Sequence, residues 1–475
     1  MDGSNVGHWT RATRPGLADS SSKRLSRRGW LSAATALLAG ACTPEGGAGT
    51  SGEETPLGQA RSASGGPPLP QERFATWNQE LRDRAPGRDV VLVDLDAIDH
   101  NIEVVKGQLG PQFALRLVTK SLPSLPLIEY VLEKAMTNRI MAFSEGLLRA
   151  LLGYFDDLDI VLGRPMPVEG ARRVLKDHPK KGRDVRWLID TPERMFDYLA
   201  LAQSIHHRLD VMVEIDVGLR RGGARTTSEL LDMLAVVAAH PARLRFTGFM
   251  GYDGHVPFAP PGFDSDVEFG DVMARYADFV QAGTQAYPAL FAGPLVFDSG
   301  GSNTYHRYGA GLSTPVNDIA MGSAFLLPVN FDSLAPLGLT PAMFMASPIL
   351  KRVEPAEVPF APGYLPMLAL SDPSLEIAFF MVAGSFPGDI VSPEGLVPNP
   401  LIPGSEGGVQ SLMPNQTLRN GSSDLPLGVG DFVFYRPWEG NAITWLNTAE
   451  VLRDDQIVHR WPTFRDGCAK GCGAP

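Results

Sequence analysis

The sequence is short of cysteine, of basic charge and of long apolar runs. Its 475 residues include only three cysteines, and the C-terminal pair Cys468 and Cys472 has no histidine close by, which gives little support for a cysteine-ligated metal site. In an oxidising compartment this pair can form a disulfide within the tail, residues 468–475, or remain two free thiols. Acidic residues outnumber basic ones by 53 to 42, and the net charge of −11 argues against a nucleic-acid partner.

No apolar run reaches the roughly 18 residues that a membrane-spanning helix needs. The first 41 residues instead have the pattern of an export signal. Arg27 and Arg28 precede eleven uncharged residues, 31–41, an apolar run of the length found in signal peptides. The tract SRRGWLS resembles the twin-arginine signal. We therefore predict export by the twin-arginine route, which would yield either a periplasmic protein or a membrane-anchored lipoprotein.

The end of this signal can be processed in two ways. The tract LAGAC resembles a lipoprotein box, which would make Cys42 a lipidated N-terminus and give the protein a lipid anchor. Ala39 and Ala41 also form an ordinary small-x-small cleavage site, and the sequence leaves both outcomes open. Residues 42–70 are rich in glycine, serine and proline and predict a flexible linker.

Between residues 94 and 340, short apolar runs alternate with segments of helical periodicity. The eight candidate strands are residues 113–119, 139–143, 159–162, 185–189, 211–215, 245–250, 295–297 and 318–321. Amphipathic stretches such as 125–134 and 192–204 separate them. This series predicts a (β/α)8 barrel, with a doubly wound sheet as the alternative.

The pattern changes after the barrel. Residues 341–467 are rich in proline and glycine and lose the helical periodicity, which predicts a C-terminal β domain. We expect the segment 71–93, ahead of the barrel, to contribute a strand to this domain.

Unusual residues fall where the barrel strands end, the rim that carries the chemistry of such barrels. Lys120 ends the first strand, in FALRLVTKSLPSLPL; EIDVGLRRGG supplies Arg221 after the fifth, and GFMGYDGH supplies Tyr252 and His255 after the sixth. The loop FDSGGSNTY follows the seventh, and its glycines and hydroxyls can cradle a phosphate. Each feature taken alone has a simpler interpretation. Lys120 can be a solvated lysine, Arg221 can form a salt bridge in a turn, His255 can be a structural hydrogen-bonder, and the glycine-rich segment can be an ordinary loop. Together, an amine and a phosphate cradle on one rim point to pyridoxal 5'-phosphate.

These motifs resemble those of the alanine racemase-like, fold-type III pyridoxal-phosphate enzymes, and most of all the D-threonine aldolase and D-serine dehydratase group. The family order is kept by VVLVDLDAIDHNI, the segment of Arg116 and Lys120, EIDVGLRRGG, GFMGYDGH and DSGGSNTY. The resemblance covers about residues 88–465. It implies a barrel followed by a β domain, a bound pyridoxal phosphate and a homodimer.

The resemblance also assigns residues. It makes Lys120 the Schiff-base lysine and a candidate proton carrier, places Arg221 near the cofactor ring, and places Tyr252 and Arg116 at the pocket. The phosphate loop it implies is Gly300, Gly301, Ser302, Asn303 and Thr304.

Two departures concern the reaction. The aldolases and dehydratases of the family carry a histidine where Val118 stands, and hold a divalent metal through His-x-Cys or His-x-Asp in the β domain. Glu439 and Asn441 occupy the metal-ligand positions here. A carboxylate and an amide bind a hard cation weakly and are not a zinc pair, so the resemblance does not carry the metal over.

The resemblance implies an exported enzyme that acts on a small amino acid, of D configuration or with a β-hydroxyl, as a lyase of the D-threonine aldolase type. A racemase is the first alternative; it needs a second acid–base group, for which Tyr364 or Tyr435 from the β domain of a partner subunit is the candidate. A non-catalytic pyridoxal-phosphate-binding protein is the second alternative.

Overall fold

The computed structural model describes residues 69–84, 86–382, 386–400 and 416–464. The predicted signal, the predicted linker up to residue 68 and the predicted tail, with Cys42, Cys468 and Cys472, lie outside these residues, and so the expectations for them stay predictions. No helix within the described ranges is long and apolar enough to cross a membrane.

Eight parallel strands close into a barrel, which confirms the predicted fold class. We number strands along the chain from β1 (Val90–Asp94), which lies outside the barrel. The barrel strands are β2 (Ala114–Val118), β3 (Arg139–Ala142), β4 (Asp159–Leu162), β5 (Arg186–Ile189), β6 (Leu209–Glu214), β7 (Leu244–Met250), β8 (Val296–Ser299) and β9 (Asp318–Met321). Each agrees with a candidate strand of the sequence to within two residues at either end. The pairing of β2 with β9 closes the ring.

Helices surround the barrel and pack their apolar faces on it. They are α2 (Leu95–Gln108), α3 (Leu125–Ala135), α4 (Glu145–Tyr154), α5 (Val168–Asp177), α6 (Pro192–Ser204), α7 (Thr227–Ala239) and α8 (Ser265–Ala286). Their starts are fixed by local chemistry: Thr226 and Glu229 form a reciprocal capping box at α7, and Ser144 caps α4. These helices hold the strand ends, and with them the rim loops, in place.

The remaining strands form a second sheet around β1. This strand pairs in parallel with β15 (Thr448–Arg453) and antiparallel with β10 (Met343–Val353). The other strands of this part are β11 (Ile377–Met381), β12 (Gly388–Ser392), β13 (Thr417–Gly421), β14 (Phe432–Pro437) and β16 (Gln456–Pro462), and a short helix, α9 (Tyr364–Ala369), precedes β11. A strand from before the barrel thus lies inside the sheet that follows it.

The segment before the barrel was expected to contribute a strand to the β domain, and β1 pairs with β10 and β15 of the second sheet. The structure also has a helix ahead of β1, α1 (Gln71–Arg84), which the sequence analysis did not predict. Phe74, Trp77 and Leu81 are buried at helical spacing, and the first two pack against the rings of Phe344 and Phe434 in the second sheet. The apolar face of α1 covers this sheet, which explains why the segment is helical.

Candidate active site

A cavity of about 270 Å³ opens where the barrel strands end. Its size lies close to the lower end of the range for small-molecule sites, roughly 300 Å³. The predicted site residues that line it are Lys120, Arg221, Tyr252, Gly300, Gly301, Ser302 and Asn303. The structure therefore brings together residues from the first, fifth, sixth and seventh barrel strands, which are up to 183 positions apart in the sequence (303 − 120).

Lys120 lies in the turn Thr119–Ser121 that directly follows β2. Its side chain is exposed to the cavity, and its Nζ lies 4.8 Å from the centroid of the Phe143 ring. Desolvation lowers the pKa of this amine, and the positive charge of Arg221 lowers it further, while Glu439 acts in the opposite direction. A lowered pKa raises the fraction of neutral amine, the form that attacks a carbonyl.

Arg221 and Tyr252 form one wall of the cavity. The guanidinium carbon of Arg221 lies 5.2 Å from the centroid of the Tyr252 ring, a cation–π arrangement. Nη2 of Arg221 lies 3.8 Å from Oε1 of the buried Glu214. Desolvation raises the pKa of Glu214 to about 6, although the charge of Arg221 opposes the shift.

The glycine-rich loop after β8 also lines the cavity and lies against Tyr252. Gly300 has a φ of +73°, and a Cβ there would lie 2.8 Å from Cγ2 of Ile319. A Cβ on Gly301 would lie 2.9 Å from Cε2 of Tyr252. Both positions need glycine because the backbone approaches its neighbours closely, and this exposes peptide groups to the cavity.

The polar groups of the loop point to an anion. Ser302 Oγ accepts hydrogen bonds from the amides of Gly322 and Ala324, at 3.3 and 3.0 Å, so its own hydrogen remains to be donated. Asn303 Oδ1 is buried with no hydrogen-bond partner in the described part of the chain. This oxygen is an acceptor and needs a donor, so the anion-binding groups of the loop are the Ser302 hydroxyl and the backbone amides rather than Asn303 Oδ1.

Thr304, the last predicted member of the loop, is not among the residues that line the cavity. Its hydroxyl donates to Oδ1 of Asp253 at 2.9 Å, and the hydroxyl of Tyr308 donates to the other oxygen of the same carboxyl at 2.9 Å. Thr304 therefore stabilises the loop through Asp253, on the side that faces away from the cavity. Sequence reasoning missed Asp253, although it lies between Tyr252 and His255 in the motif that was singled out.

Arg116 is also absent from the cavity lining, contrary to the predicted pocket role. Its side chain is fully buried inside the barrel, where Nε and Nη2 donate to both carboxyl oxygens of Asp318 at 2.6 and 3.0 Å. Nη1 donates to Asp159. Arg116 and Val118 are two residues apart and share the inward face of β2, but Arg116 lies one layer deeper.

His255 has a structural contact rather than a place in the cavity lining. Its Nε2 lies 2.9 Å from Oε1 of Glu268 on α8. Asp298 is instead a lining residue that sequence reasoning missed, one position before Ser299 and the glycines. Its side chain is 2% exposed and its Oδ2 has no hydrogen-bond partner within the described residues. Burial and the nearby charge of Asp318 raise the pKa of Asp298 well above its usual value.

The two positions aligned with the family's metal ligands separate in the structure. Glu439 lines the cavity, and its Oε1 accepts a hydrogen bond from Asn330 at 2.8 Å. Asn441 is exposed, does not line the cavity, and accepts a hydrogen bond from Thr444 through its main-chain oxygen. The described residues contain no group of three or more His, Cys, Asp or Glu side chains arranged to hold a metal. These residues do not form the donor set of a divalent metal site.

Pyridoxal phosphate, by contrast, fits the residues that are present. A solvent-accessible amine with a lowered pKa lies in the same cavity as a close-packed glycine loop and a serine hydroxyl free to donate. Lys120 would hold the aldehyde end, and Gly300 to Asn303 would hold the phosphate.

Comparison with known proteins supports this architecture. Residues 93–323 match the family model of the alanine racemase N-terminal domain. No curated protein matches the chain by sequence.

Solved structures of low sequence identity share the whole fold. D-threo-3-hydroxyaspartate dehydratase from Delftia sp. HT23 is 17% identical, with a TM-score of 0.59 over 79% of this chain and 97% of its own. Alanine racemase from Bacillus anthracis is 14% identical, with a TM-score of 0.59 over 79% of this chain and 97% of its own. D-threonine aldolase from Filomicrobium marinum is 15% identical, with a TM-score of 0.58 over 78% of this chain and 94% of its own.

The three neighbours are enzymes by name, in agreement with the prediction of an enzyme. Residues 93–323 thus match the alanine racemase N-terminal domain, and the chain shares its fold with these three structures, in agreement with the resemblance predicted from its motifs.

Proposed function

We propose that this chain is an exported, pyridoxal-phosphate-dependent enzyme that acts on a small amino acid, of D configuration or with a β-hydroxyl, as a lyase. The observation that carries the cofactor assignment is the joint placement of Lys120 and the loop from Gly300 to Asn303 on one cavity. The names of the fold neighbours, a hydroxyaspartate dehydratase, a racemase and a threonine aldolase, support amino-acid chemistry.

Pyridoxal phosphate would supply an aldehyde for the amine of Lys120 and an electron sink for cleavage at the substrate carbon. Lys120 is placed to take or return a proton at that carbon, because its amine already lies in the cavity and its pKa is lowered. Arg221 adds a fixed positive charge at the wall, and Asp298 adds a carboxyl whose pKa burial raises. The phosphate loop would hold the phosphate end of the ligand.

Lyase chemistry is preferred, but it does not follow the family's metal-assisted route, since Glu439 and Asn441 do not form a metal site. A racemase is the second candidate, and one observation favours it. Tyr252 lines the cavity with 36% of its side chain exposed, so it offers a second proton-transfer group besides Lys120. Of the two tyrosines considered for a partner subunit, Tyr435 is 2% exposed within its own β domain, whereas Tyr364 is 43% exposed.

Two further parts of the proposal concern the protein's surroundings. The twin-arginine pattern at Arg27 and Arg28 supports export, and a route that carries folded proteins suits a protein that acquires its cofactor before crossing a membrane. A homodimer agrees with the family resemblance, and a lipid anchor at Cys42 is the proposed alternative to simple cleavage.

The cofactor assignment can be tested by borohydride reduction of the mature protein loaded with pyridoxal phosphate, followed by peptide mapping. We expect a pyridoxyl adduct on Lys120 and none on Lys351, a lysine of the second sheet that serves as an internal control. The variant Lys120→Arg keeps the charge but should give no adduct. A protein without an adduct at Lys120 would contradict the proposed cofactor and the enzyme with it.

The reaction itself can be tested by offering D-amino acids, with and without a β-hydroxyl, to the loaded protein. Release of a keto acid or an aldehyde supports the lyase, and exchange of the α-proton with inversion supports the racemase. Adduct formation without turnover of any amino acid would support the non-catalytic binding protein.

A further inference from the structure

The cavity contains two acidic side chains in very different settings. Asp298 is sealed in the floor and is 2% exposed, whereas Glu439 is exposed at the cavity wall. Of the two acidic residues that line this cavity in the described part of the chain, Glu439 is therefore the one that a ligand entering from solvent can contact. The remaining charged lining residues, Lys120 and Arg221, are both basic.

Glu439 belongs to a segment of the second sheet and is held in position by Asn330, which lies between the last barrel strand, β9, and β10. Glu439 follows β14 and precedes the turn Gly440–Trp445. Asn330 Nδ2 donates to Oε1 of Glu439 at 2.8 Å, and the main-chain amide of Asn330 donates to the carbonyl of Trp438 at 3.2 Å. These two bonds fix the carboxylate and the backbone beside it, so that the charge stays at one place on the wall.

The same segment packs closely against the turn that carries Lys120. A Cβ on Gly440 would lie only 3.1 Å from the carbonyl oxygen of Ser121, the residue after Lys120. Glu439 is therefore one residue away from a tight contact with the Lys120 turn, and its charge acts on the Lys120 amine. This places a negative charge beside the reacting position, on the side where the second sheet closes the cavity.

An amino-acid substrate has a carboxylate that needs a cation and a side chain that must occupy the rest of the cavity. Arg221 is the lining cation that remains when Lys120 is engaged by the cofactor, and it suits the carboxylate. With the substrate carboxylate at Arg221, the substrate side chain would face the part of the cavity that Glu439 lines. A fixed charge in a partly enclosed site acts with more strength than one in open water.

We propose that Glu439 selects the substrate by the charge of its side chain, favouring amino acids with a cationic side chain and disfavouring dicarboxylic ones. This inference rests on the proposed function, because it concerns the substrate of the same site. The proposed preference differs from what the name of one fold neighbour indicates, because that protein is named for hydroxyaspartate and hydroxyaspartate carries two carboxylates. The position aligned with a metal ligand in the family would here have become a contact for the substrate side chain.

The test uses the full mature protein loaded with pyridoxal phosphate and follows the absorbance of the bound cofactor as amino acids are added. Ornithine, alanine and aspartate, each in both configurations, give dissociation constants that do not depend on turnover. Free pyridoxal phosphate with the same amino acids is the blank. We expect ornithine to bind more tightly than aspartate, by on the order of tenfold or more.

The variants make the test specific. Glu439→Gln should reduce the ratio of the aspartate to the ornithine dissociation constant by on the order of tenfold, and Glu439→Lys should invert the preference. Glu357→Gln removes an exposed carboxylate of the β domain that does not line the cavity, and it should leave the ratio unchanged. Added salt should shrink the ratio in the wild-type protein because it screens the charge.

The outcomes separate the two proposals. A wild-type protein that takes up no cofactor at Lys120 overturns the proposed function and, with it, this inference. A protein that takes up cofactor but shows the same ratio in the wild type and in Glu439→Gln overturns the inference alone. Retention of the ratio in Glu439→Lys would do the same, because that variant reverses the charge at this position.

Discussion

At the scale of single residues, the environment of Lys120 separates a reactive amine from an ordinary surface lysine. Desolvation and the charge of Arg221 lower its pKa below the usual 10.5. The neutral amine should therefore appear at lower pH than in an exposed lysine, and a small amine-directed reagent should label Lys120 before Lys351. Mass spectrometry of labelled peptides across a pH series gives both profiles from one sample.

The variant Arg221→Gln tests the cause of this shift. Removal of the positive charge should raise the pKa of Lys120 and move its labelling profile to higher pH, while the profile of Lys351 stays where it is. If the Lys120 profile does not move, Arg221 does not tune the amine, and burial with the charge of Arg164 accounts for the lowered pKa.

Arg116 belongs to the sequence motif that contains Lys120, but it lies in the barrel interior and does not line the cavity. Burial acts to raise the pKa of Asp318, but Arg116 and Arg139 outweigh it and hold that pKa below its usual value. The variant Arg116→Met would leave this buried carboxylate without its main partner. We expect a loss of roughly 3–5 kcal/mol in the free energy of unfolding, measured by chemical denaturation.

The matched control for this prediction is Arg139→Met. Arg139 bonds the same carboxyl from a position that is 37% exposed, so its loss should cost less than the loss of Arg116. Unchanged stability of Arg116→Met together with weaker cofactor binding would instead restore the pocket role that the family resemblance implied.

The sequence predicts that a residue lies at the rim of the barrel only when that residue follows the end of a strand. Lys120, Arg221 and Tyr252 follow their strands, and all three line the cavity. Arg116 lies within β2, where alternation predicts the inward face but not the depth. Thr304 lies in the right loop, but Asp253, 51 positions earlier, binds its hydroxyl; a contact over that distance in sequence is visible only once the barrel has closed.

At the scale of elements, the glycine loop after β8 should bind the phosphate through its backbone. A methyl group on Gly301 would come within 2.9 Å of the Tyr252 ring and displace either the ring or the loop. We expect Gly301→Ala to raise the dissociation constant of pyridoxal phosphate by on the order of tenfold, with a much smaller effect on pyridoxal, which has no phosphate. Equilibrium titration of the apoprotein with each compound measures both values.

Gly309→Ala is the matched control for the loop. A Cβ at Gly309 meets no heavy atom within 4 Å, so this variant should bind both compounds as the wild type does. An equal loss for pyridoxal and pyridoxal phosphate in Gly301→Ala would mean that the substitution disturbs Tyr252 rather than a phosphate cradle.

The carboxyl behind the loop gives stability a pH dependence of known sign. Desolvation raises the pKa of Asp253 from 3.8 to about 6, against hydrogen bonds from Tyr308 and Thr304. The folded state thus holds this proton more tightly than the unfolded state, and the stabilisation is present at low pH and is lost as pH rises from about 4 to about 6. Asn cannot titrate, so Asp253→Asn lacks this contribution.

The stability of the wild type relative to Asp253→Asn should therefore fall between pH 4 and pH 6, by at most about 3 kcal/mol. Denaturation midpoints of both proteins across this range measure the difference. Glu214, whose pKa is also raised to about 6, titrates in both proteins and cancels in the comparison. A difference that is constant or grows with pH would mean that Asp253 is not a protonated, desolvated carboxyl in the fold.

The elements themselves were predictable to different degrees. The barrel strands are short apolar runs bounded by turns, and the structure has a strand at each of the eight. The helix α1 was missed because it is polar apart from Phe74, Trp77 and Leu81, and those three were not recognised as a helical stripe. Its apolar face depends on Phe344 and Phe434, which come some 270 residues or more later (344 − 74).

At the scale of the whole molecule, the second sheet joins the segments that precede and follow the barrel and supplies part of the cavity. β1, from before the barrel, pairs with β10 and β15, from after it. The loop after β14 then brings Glu439 to the rim of the barrel. Neither the barrel nor the sheet alone builds this site, so the charge that we propose for substrate selection exists only in the assembled chain.

The final prediction concerns where the assembled chain acts. Arg27 and Arg28 precede a short apolar run, and a twin-arginine pair of this kind directs export of folded proteins. We expect conversion of both residues to lysine to keep the mature protein in the cytoplasm of a bacterial host, by fractionation and immunoblotting, although their charge is unchanged. Cys42→Ser separates the two processing routes, because it should move an exported lipoprotein from the membrane fraction to the soluble periplasm. Export that survives the lysine pair would show that another pathway carries the chain, and the link between prior folding, cofactor uptake and export would then be lost.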